Sequence, residues 1–310
     1  MKIRVCFIIA FIFLIMAAGI TVADTITVDD GGGAEYTTIE EAVNNANPHD
    51  TIIIHPGTYT ENVDVNKSLT IISQSGNPDD TIVLTADSND PVFYVTADNV
   101  TIKGFTLKGS NYIREYGIYL NGANNSSISD NKLLDYWFGI KVWSSNNNIL
   151  RNNSIINSNN NHIGINMGSS DSNTLINNTV LNYHYAVTMS LSNNNTLSNN
   201  NLSYSNSDGI ATNNCQYNLL LNNIVNSNAD SGIHFRNSSN NRIIGNIICN
   251  TTKYGGISFL DGSHNNIVYK NHFNNNKNDV MTFPKYKFIY DIFLGIFQKY
   301  WDSFLKIIPD

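Results

Sequence analysis

Charged residues are scarce in this chain of 310 residues, where they make up 14% of the sequence and give a net charge of −7. The 18 lysines and arginines form no cluster, which argues against nucleic acid or an anionic membrane surface as a charge-bound partner. Solubility must come from uncharged polar groups, and asparagine supplies them, above all between Asn121 and Asn278.

Cysteine is also rare, with three residues in the chain. Cys6 lies in an apolar N-terminal run, which leaves Cys215 and Cys249 for the folded part. These two occupy different offsets in the repeat described below, so we predict two free, partly buried thiols. No motif calls for a cofactor, whether calcium or copper.

The two ends of the chain differ from its middle. Residues 1–23 combine Lys2 and Arg4 with an apolar run and then small residues, which predicts a secretory signal peptide; an uncleaved anchor is the alternative. Residues 284–310 carry aromatic and aliphatic side chains at helical spacing, which predicts an amphipathic helix that caps the fold or contacts a membrane or partner. We expect a secreted or cell-surface protein.

The middle of the chain is a repeat with a step of 22 to 25 residues. One motif is a short strand led by glycine (once by alanine), beginning at Gly117, Gly139, Gly164, Ala186, Gly209, Gly232 and Gly256. A second motif, in phase with it, reads apolar, two residues, Asn, one residue, apolar. Its asparagines are Asn131, Asn153, Asn178, Asn200, Asn222, Asn246 and Asn271.

Each repeat has short runs with period-2 alternation, which favours strands. A unit this small cannot bury its own apolar face, so units must stack to share a core. The sequence therefore predicts an all-β fold: a single-stranded, right-handed parallel β-helix with regular Asn-rich rungs over residues 111–283. The repeated asparagines are predicted to form a structural ladder at the turns, because asparagine tolerates left-handed geometry and its amide can bond the next rung.

Residues 24–110 are less regular and form the predicted N-terminal cap and first rungs. Thr38–Ala46 reads as a short amphipathic helix with a threonine cap. A solenoid needs such a cap because its first rung exposes unpaired strand edges.

The stretch from Tyr36 to Val43, followed by Asp50–Ile54 and Pro56–Val63, resembles the opening of pectin-lyase-like β-helix proteins. The Asn-rich rungs resemble the NosD-type repeat, also called the carbohydrate-binding and sugar-hydrolase domain, which is abundant in surface and adhesin-like proteins of methanogenic archaea. The resemblance spans roughly residues 25–280 and implies the fold. It implies no single activity, since this fold carries lyases, esterases, hydrolases, epimerases and binders. The catalytic motifs of polygalacturonases, alginate epimerases and pectin methylesterases are absent.

The repeat also predicts which residues lie on the surface beside the glycine-led strands, where this fold usually binds its ligands. Flat aromatic rings stack on sugars, so a polysaccharide or cell-surface glycan is the predicted partner. The candidate carbohydrate-binding residues are Tyr116, Tyr119, Trp137, Lys141, Trp143 and Tyr185. The alternative is that these aromatics only favour strand formation.

Two further hypotheses use other residues of this face. Acid–base groups beside a cation suit a polysaccharide lyase or glycoside hydrolase, and the weak catalytic candidates are Asp208, Asp230, His234 and Arg236. A NosD-like role in copper-site assembly would use His162 and His184, which share an offset in neighbouring rungs. Binding without catalysis is the leading hypothesis.

Overall fold

The computed structural model describes residues 23–110, 115–159 and 162–282. The predicted signal peptide and the predicted C-terminal helix therefore lie outside the described residues, apart from Ala23. Within the described ranges, no helix is both long and apolar enough to cross a membrane.

The chain winds through three parallel sheets, and from Thr51 onward each turn of the winding contributes one short strand to each sheet. Sheet 1 has 11 strands: Thr25–Val28, Thr51–Ile54, Thr70–Ser73, Thr101–Lys103, Ser127–Ser129, Ile149–Arg151, Thr174–Ile176, Thr196–Ser198, Leu219–Leu221, Arg242–Ile244 and Ile267–Tyr269. Sheet 2 has 10 strands: Gly57–Thr60, Thr81–Leu84, Thr106–Lys108, Lys132–Leu134, Ser154–Ile156, Thr179–Leu181, Asn201–Ser203, Ile224–Asn226, Ile247–Cys249 and His272–Asn274. Sheet 3 also has 10 strands: Val63–Val65, Phe93–Val95, Tyr116–Asn121, Phe138–Trp143, Ile163–Gly168, Tyr185–Ser190, Ile210–Asn213, Ile233–Arg236, Ile257–Leu260 and Val280–Thr282. This is the right-handed parallel β-helix that the repeat predicted.

The core is built from the inward residue of each strand, stacked on its equivalents. In sheet 3 the predicted aliphatic stack is in register and buried at every level. Its members are Ile118, Ile140, Ile165, Val187, Ile210, Ile233 and Ile257. Because strand residues alternate sides, this register fixes the neighbouring residues on the outward face.

The predicted N-terminal helix is present as α1, Ile39–Asn45, with Thr38 as its N-cap. The Thr38 side chain accepts from the Glu41 amide at 3.3 Å. The Glu61 carboxylate, from outside the helix, accepts from the Ile39 amide at 3.0 Å and from the Glu40 amide at 2.9 Å. These bonds satisfy the first amides of the helix, which have no partner within it.

The asparagine ladder exists, with one correction. Each ladder side chain donates from Nδ2 to a carbonyl of the rung before it. Its Oδ1 accepts the backbone amide of the residue at the equivalent position in that rung, as in the bonds of Asn178 to Leu150 and Asn153. The prediction of Asn222 as a member was wrong, because Asn223 occupies the ladder position and Asn222 precedes it at φ 53°. Two adjacent asparagines allow both assignments in the sequence, and only the register separates them.

The structure also assigns the left-handed conformation to a different residue from the one predicted. The residue before each ladder position has a positive φ, as in Asn152, Asn177 and Asn199, whereas the ladder asparagines do not. A second asparagine ladder, missed in the sequence, runs before the sheet 1 strands through Asn148, Asn173, Asn195, Asn218, Asn241 and Asn266. Both cysteines of the described ranges are free, Cys215 buried and Cys249 half-buried.

Candidate functional site

Aromatic side chains cluster on the outward face of sheet 3 at three consecutive levels. We call the group the aromatic patch; it consists of Tyr94, Tyr116, Tyr119, Phe138 and Trp143. Parallel register produces it, because Tyr119 pairs with Tyr94 on one side and with Lys141 on the other. Aromatic residues also favour extended structure, so they are compatible with the strands that carry them.

Four rings of the patch contact one another. Tyr116 and Phe138 are stacked with centroids 5.2 Å apart and an interplanar angle of 8°. Tyr119 lies between Tyr116 and Tyr94, with centroid distances of 5.5 Å and 5.4 Å. The result is a continuous apolar surface several rings long on an otherwise polar face.

Lys141 lies in the middle of this patch. Its Nζ is 4.4 Å from the ring centroid of Tyr119, 5.0 Å from that of Tyr116 and 5.4 Å from that of Trp143. The Phe138 ring is 5.8 Å away. All four distances are within the range of a cation–π contact. Burial by these rings lowers the pKa of Lys141 from its ordinary value, because the charged form loses hydration.

Trp143 is the most exposed member of the patch, at 41%. Its ring lies over Gly168, its strand neighbour in the next rung. A Cβ at position 168 would overlap the indole ring, so glycine there leaves the space in which the ring lies flat along the sheet. The ring therefore extends the patch toward the next rung.

The other predicted sugar-binding residues flank the patch. The Trp137 ring stacks on His162, with centroids 3.6 Å apart, and the Tyr185 ring meets His184 edge-on at 4.5 Å. Burial and, second, the neighbouring His184 lower the pKa of His162. Trp137, His162 and His184 thus form a second column beside the patch, just before the sheet 3 strands.

Tyr94 was missed in the sequence, because its rung precedes the regular repeat and no glycine marks its strand. The register with Tyr119 identifies it. Glu115, which the repeat also places beside this face, is fully buried, and its carboxylate accepts from the Ser110 amide at 2.8 Å.

The structure brings two of the four acid–base candidates into contact. Asp208 is buried, and its Oδ2 lies 3.2 Å from Nδ1 of His234, while its Oδ1 accepts from the Ser231 amide at 2.8 Å. The His234 Nε2 atom is itself buried, with no hydrogen-bond partner among the described residues. A buried Nε2 gives a substrate proton no direct access, so this geometry alone does not make a general base.

The remaining two candidates form ion pairs of their own. Asp230 pairs with Lys253 at 3.0 Å and accepts from the Ser207 hydroxyl at 3.0 Å. Arg236 pairs with Asp261 at 3.6 Å. Both arrangements are ordinary for solvated surface residues.

Comparison with known proteins agrees with the fold. The profile of the family described as "Periplasmic copper-binding protein (NosD)" matches residues 43–208 and 187–288. Pectate lyase Pel9A superposes with a TM-score of 0.63 at 13% identity, covering 82% of this chain and 80% of its own. An alginate lyase from Paenibacillus sp. FPU-7 superposes with a TM-score of 0.59 at 16% identity, covering 81% of this chain and 99% of its own. The protein is thus a pectin-lyase-like parallel β-helix, and it belongs to the NosD family.

One similar protein has a description of its location. A "Cell surface glycoprotein" of Methanothermus fervidus is 29% identical over 157 residues, which is 40% of this chain. The match spans 25% of that relative's length.

The family's description raises the question of copper. His162 and His184 lie on neighbouring rungs, where the His184 amide donates to the His162 carbonyl at 3.0 Å. The methionines that share a position there, Met167 and Met189, are buried in the core. The described ranges contain no group of three or more His, Cys, Asp or Glu side chains able to hold a metal. This donor set does not fit a copper centre.

Proposed function

We propose that this chain is an extracellular, surface-associated β-helix that binds a glycan on the aromatic patch and does not cleave it. The observation that carries the proposal is the patch itself: five aromatic side chains at three consecutive levels of one outward-facing sheet. Aromatic faces pack on the C–H faces of sugar rings, and polar side chains around them bond hydroxyl groups.

Several features of the surroundings support this reading. Parallel strands repeat every 4.8 Å or so, close to the length of one sugar unit, so a chain of sugars can follow the axis of the helix. Asn121, beside the patch, donates to the Tyr94 hydroxyl at 2.7 Å, and Asn166 donates to Thr188 at 2.7 Å. Amide and hydroxyl groups of this kind are available at the edge of the patch for sugar hydroxyls.

The surface location is proposed from the predicted signal peptide, the glycoprotein of M. fervidus and the periplasmic description of the family. The absence of cleavage is proposed because the catalytic motifs of related enzymes are missing from the sequence. In addition, the pair that two of the catalytic candidates form, Asp208 with His234, has a buried Nε2 atom.

A glycan array probed with the full chain tests the proposal. Saturable binding is expected, and Trp143→Ala and Tyr119→Ala should each weaken it about fivefold or more, since one stacked ring is worth about 1 kcal/mol or more. The matched control is Tyr217→Asn, which removes a 60% exposed ring at a corner of the fold. Asparagine is compatible there, because Asn194 and Asn240 hold equivalent corners at φ 57° and 60°, beside φ 58° for Tyr217.

Three results would overturn the proposal. One is a full chain that binds no glycan on the array. Another is equal loss of binding in Tyr217→Asn and Trp143→Ala. The third is release of new reducing ends or unsaturated products from a bound glycan, which would show a lyase or hydrolase instead.

A further inference from the structure

Lys141 lacks an acidic partner in the part of the chain that the structure describes. The ion pairs formed there within 4.0 Å involve Lys103, Lys132, Arg236, Lys253 and two histidines, and Lys141 is in none of them. Residues 111–114 contain no carboxylate in their sequence. Among the described residues, its ammonium group is therefore surrounded by rings, with no carboxylate in ion-pair distance.

That arrangement is unusual for a lysine that is only half exposed. A cation that loses hydration is normally compensated by a carboxylate, whereas ring faces return only part of the lost energy. Burial lowers the pKa of Lys141, because these rings displace water from its charged form. The patch thus presents one desolvated positive charge at the centre of a sugar-sized apolar surface.

We propose that the glycan bound on the aromatic patch is anionic, and that Lys141 receives a carboxylate of a uronate unit while the rings pack against its sugar ring. This inference rests on the proposed function and names the class of ligand. A uronate satisfies both parts of the site at once. A neutral sugar stacked on the same rings would cover the ammonium group further and give it no counter-charge, which selects against neutral glycans.

The charge balance of the rest of the molecule makes the site specific. The net charge is −7, so an acidic polymer is repelled by most of the surface and has no general attraction to it. Other described cations near the sheet 3 face, Arg236 and Lys253, are already paired with Asp261 and Asp230. Binding of an acidic glycan should therefore depend on one lysine.

The test uses the full chain and an array carrying uronate polymers, their carboxyl-reduced neutral counterparts and sulfated glycans. The uronate polymers should bind, and reduction of their carboxyl groups should weaken binding roughly 10- to 100-fold, the value of one charge-assisted hydrogen bond. Lys141→Met should abolish that preference, and Lys141→Arg should retain most of it. Equal binding of sulfated glycans would show that any anion suffices and would overturn the assignment to a carboxylate.

Lys103→Met is the matched control, because it removes the same unit of charge from the outward side of sheet 1, where Lys103 pairs with Asp130 at 3.7 Å. It should leave the preference unchanged. A second readout is the pKa of the Lys141 amine followed by NMR, which should rise when a hexagalacturonate or other bound uronate oligomer is added.

The outcomes separate this inference from the proposed function. If the array shows binding to neutral glycans that Trp143→Ala weakens, the glycan-binding function stands and the anionic ligand is overturned. A preference for uronates that survives Lys141→Met would also overturn it. If no glycan binds at all, the proposed function falls, and this inference falls with it.

Discussion

The Nδ2 atom of Asn200 donates to Oδ1 of Asn223 at 2.9 Å, deep in the interior of the fold. Asn223 in turn donates to the Leu197 carbonyl at 2.8 Å and to Oδ1 of Asn246 at 2.9 Å. Each ladder residue thus has partners on both sides, and removing one leaves several buried groups without a partner.

Asn223→Ala should therefore lower the free energy of unfolding by about 3 kcal/mol or more, since each buried group left unsatisfied costs about 1–3 kcal/mol. Urea denaturation measures the change. Asn222→Gly is the control, and should change stability by less than about 1 kcal/mol, because glycine readily adopts φ 53°. Gly245 already holds the equivalent position at φ 67°. Equal effects at both sites would contradict the ladder assignment.

The leading glycine of the sheet 3 strands is required by close packing. A Cβ on Gly232 would lie 2.6 Å from the Gly256 carbonyl oxygen and 2.6 Å from Cγ2 of Ile248. Gly232→Ala should destabilise the protein by about 1–3 kcal/mol, as overpacked cores do. Thermal unfolding checks this, with Ala186→Gly as the reciprocal variant at the rung that naturally accepts a methyl group. If Gly232→Ala left the stability unchanged, the rungs would separate more easily than this packing indicates.

Cys215 takes the place of a serine in a hydrogen-bonded column. Its amide donates to Ser238 Oγ at 3.1 Å, as the Ser238 amide does to Ser263 Oγ at 3.1 Å. Burial raises the pKa of the Cys215 thiol, so the reactive thiolate is scarce. In a Cys6→Ser background, a thiol reagent should label Cys249 first and Cys215 only on unfolding, while Cys215→Ser should change stability by at most about 1 kcal/mol. Rapid labelling of Cys215 in the native protein would contradict its buried position.

His162 makes stability depend on pH. Burial, and then the charge of His184, lower the pKa of His162 in the folded state. The unfolded chain then binds a proton more readily than the folded chain, so this contribution is fully present above the ordinary histidine pKa of about 6.5 and is lost as the pH falls below it. His162→Gln should flatten the fall in unfolding free energy over this range. By NMR, His184→Gln should raise the pKa of His162; an unchanged pKa would exclude coupling between the two rings.

The periodicity of the sequence was enough to predict most of the fold. Seven glycine- or alanine-led strands and seven asparagines in phase required stacked rungs, because a unit of 22 to 25 residues cannot bury its own core. The α1 helix was also predictable from the sequence, since Thr38 and the apolar residues that follow it are local signals. Such features depend on neighbours along the chain, which the sequence displays directly.

The residues of the candidate site could be predicted from the sequence only in part. Four of its residues were predicted from the repeat, namely Tyr116, Tyr119, Lys141 and Trp143. Tyr94 was not, because its rung precedes the regular spacing. The ion-pair partners of the acid–base candidates could not be predicted from the sequence either. Asp230 pairs with Lys253, 23 residues away, because side-chain rotamers across two rungs decide which charges meet.

By itself, then, the sequence determined that this chain stacks into a parallel β-helix and which residues face its outer surface, because strand alternation and the repeat length leave one solution. Tertiary structure decided the register between rungs, and with it the choice of Asn223 over Asn222 in the ladder. It also placed the Lys141 ammonium between rings from two levels of sheet 3. Side-chain packing across neighbouring strands sets that placement, and no local pattern in the chain encodes it.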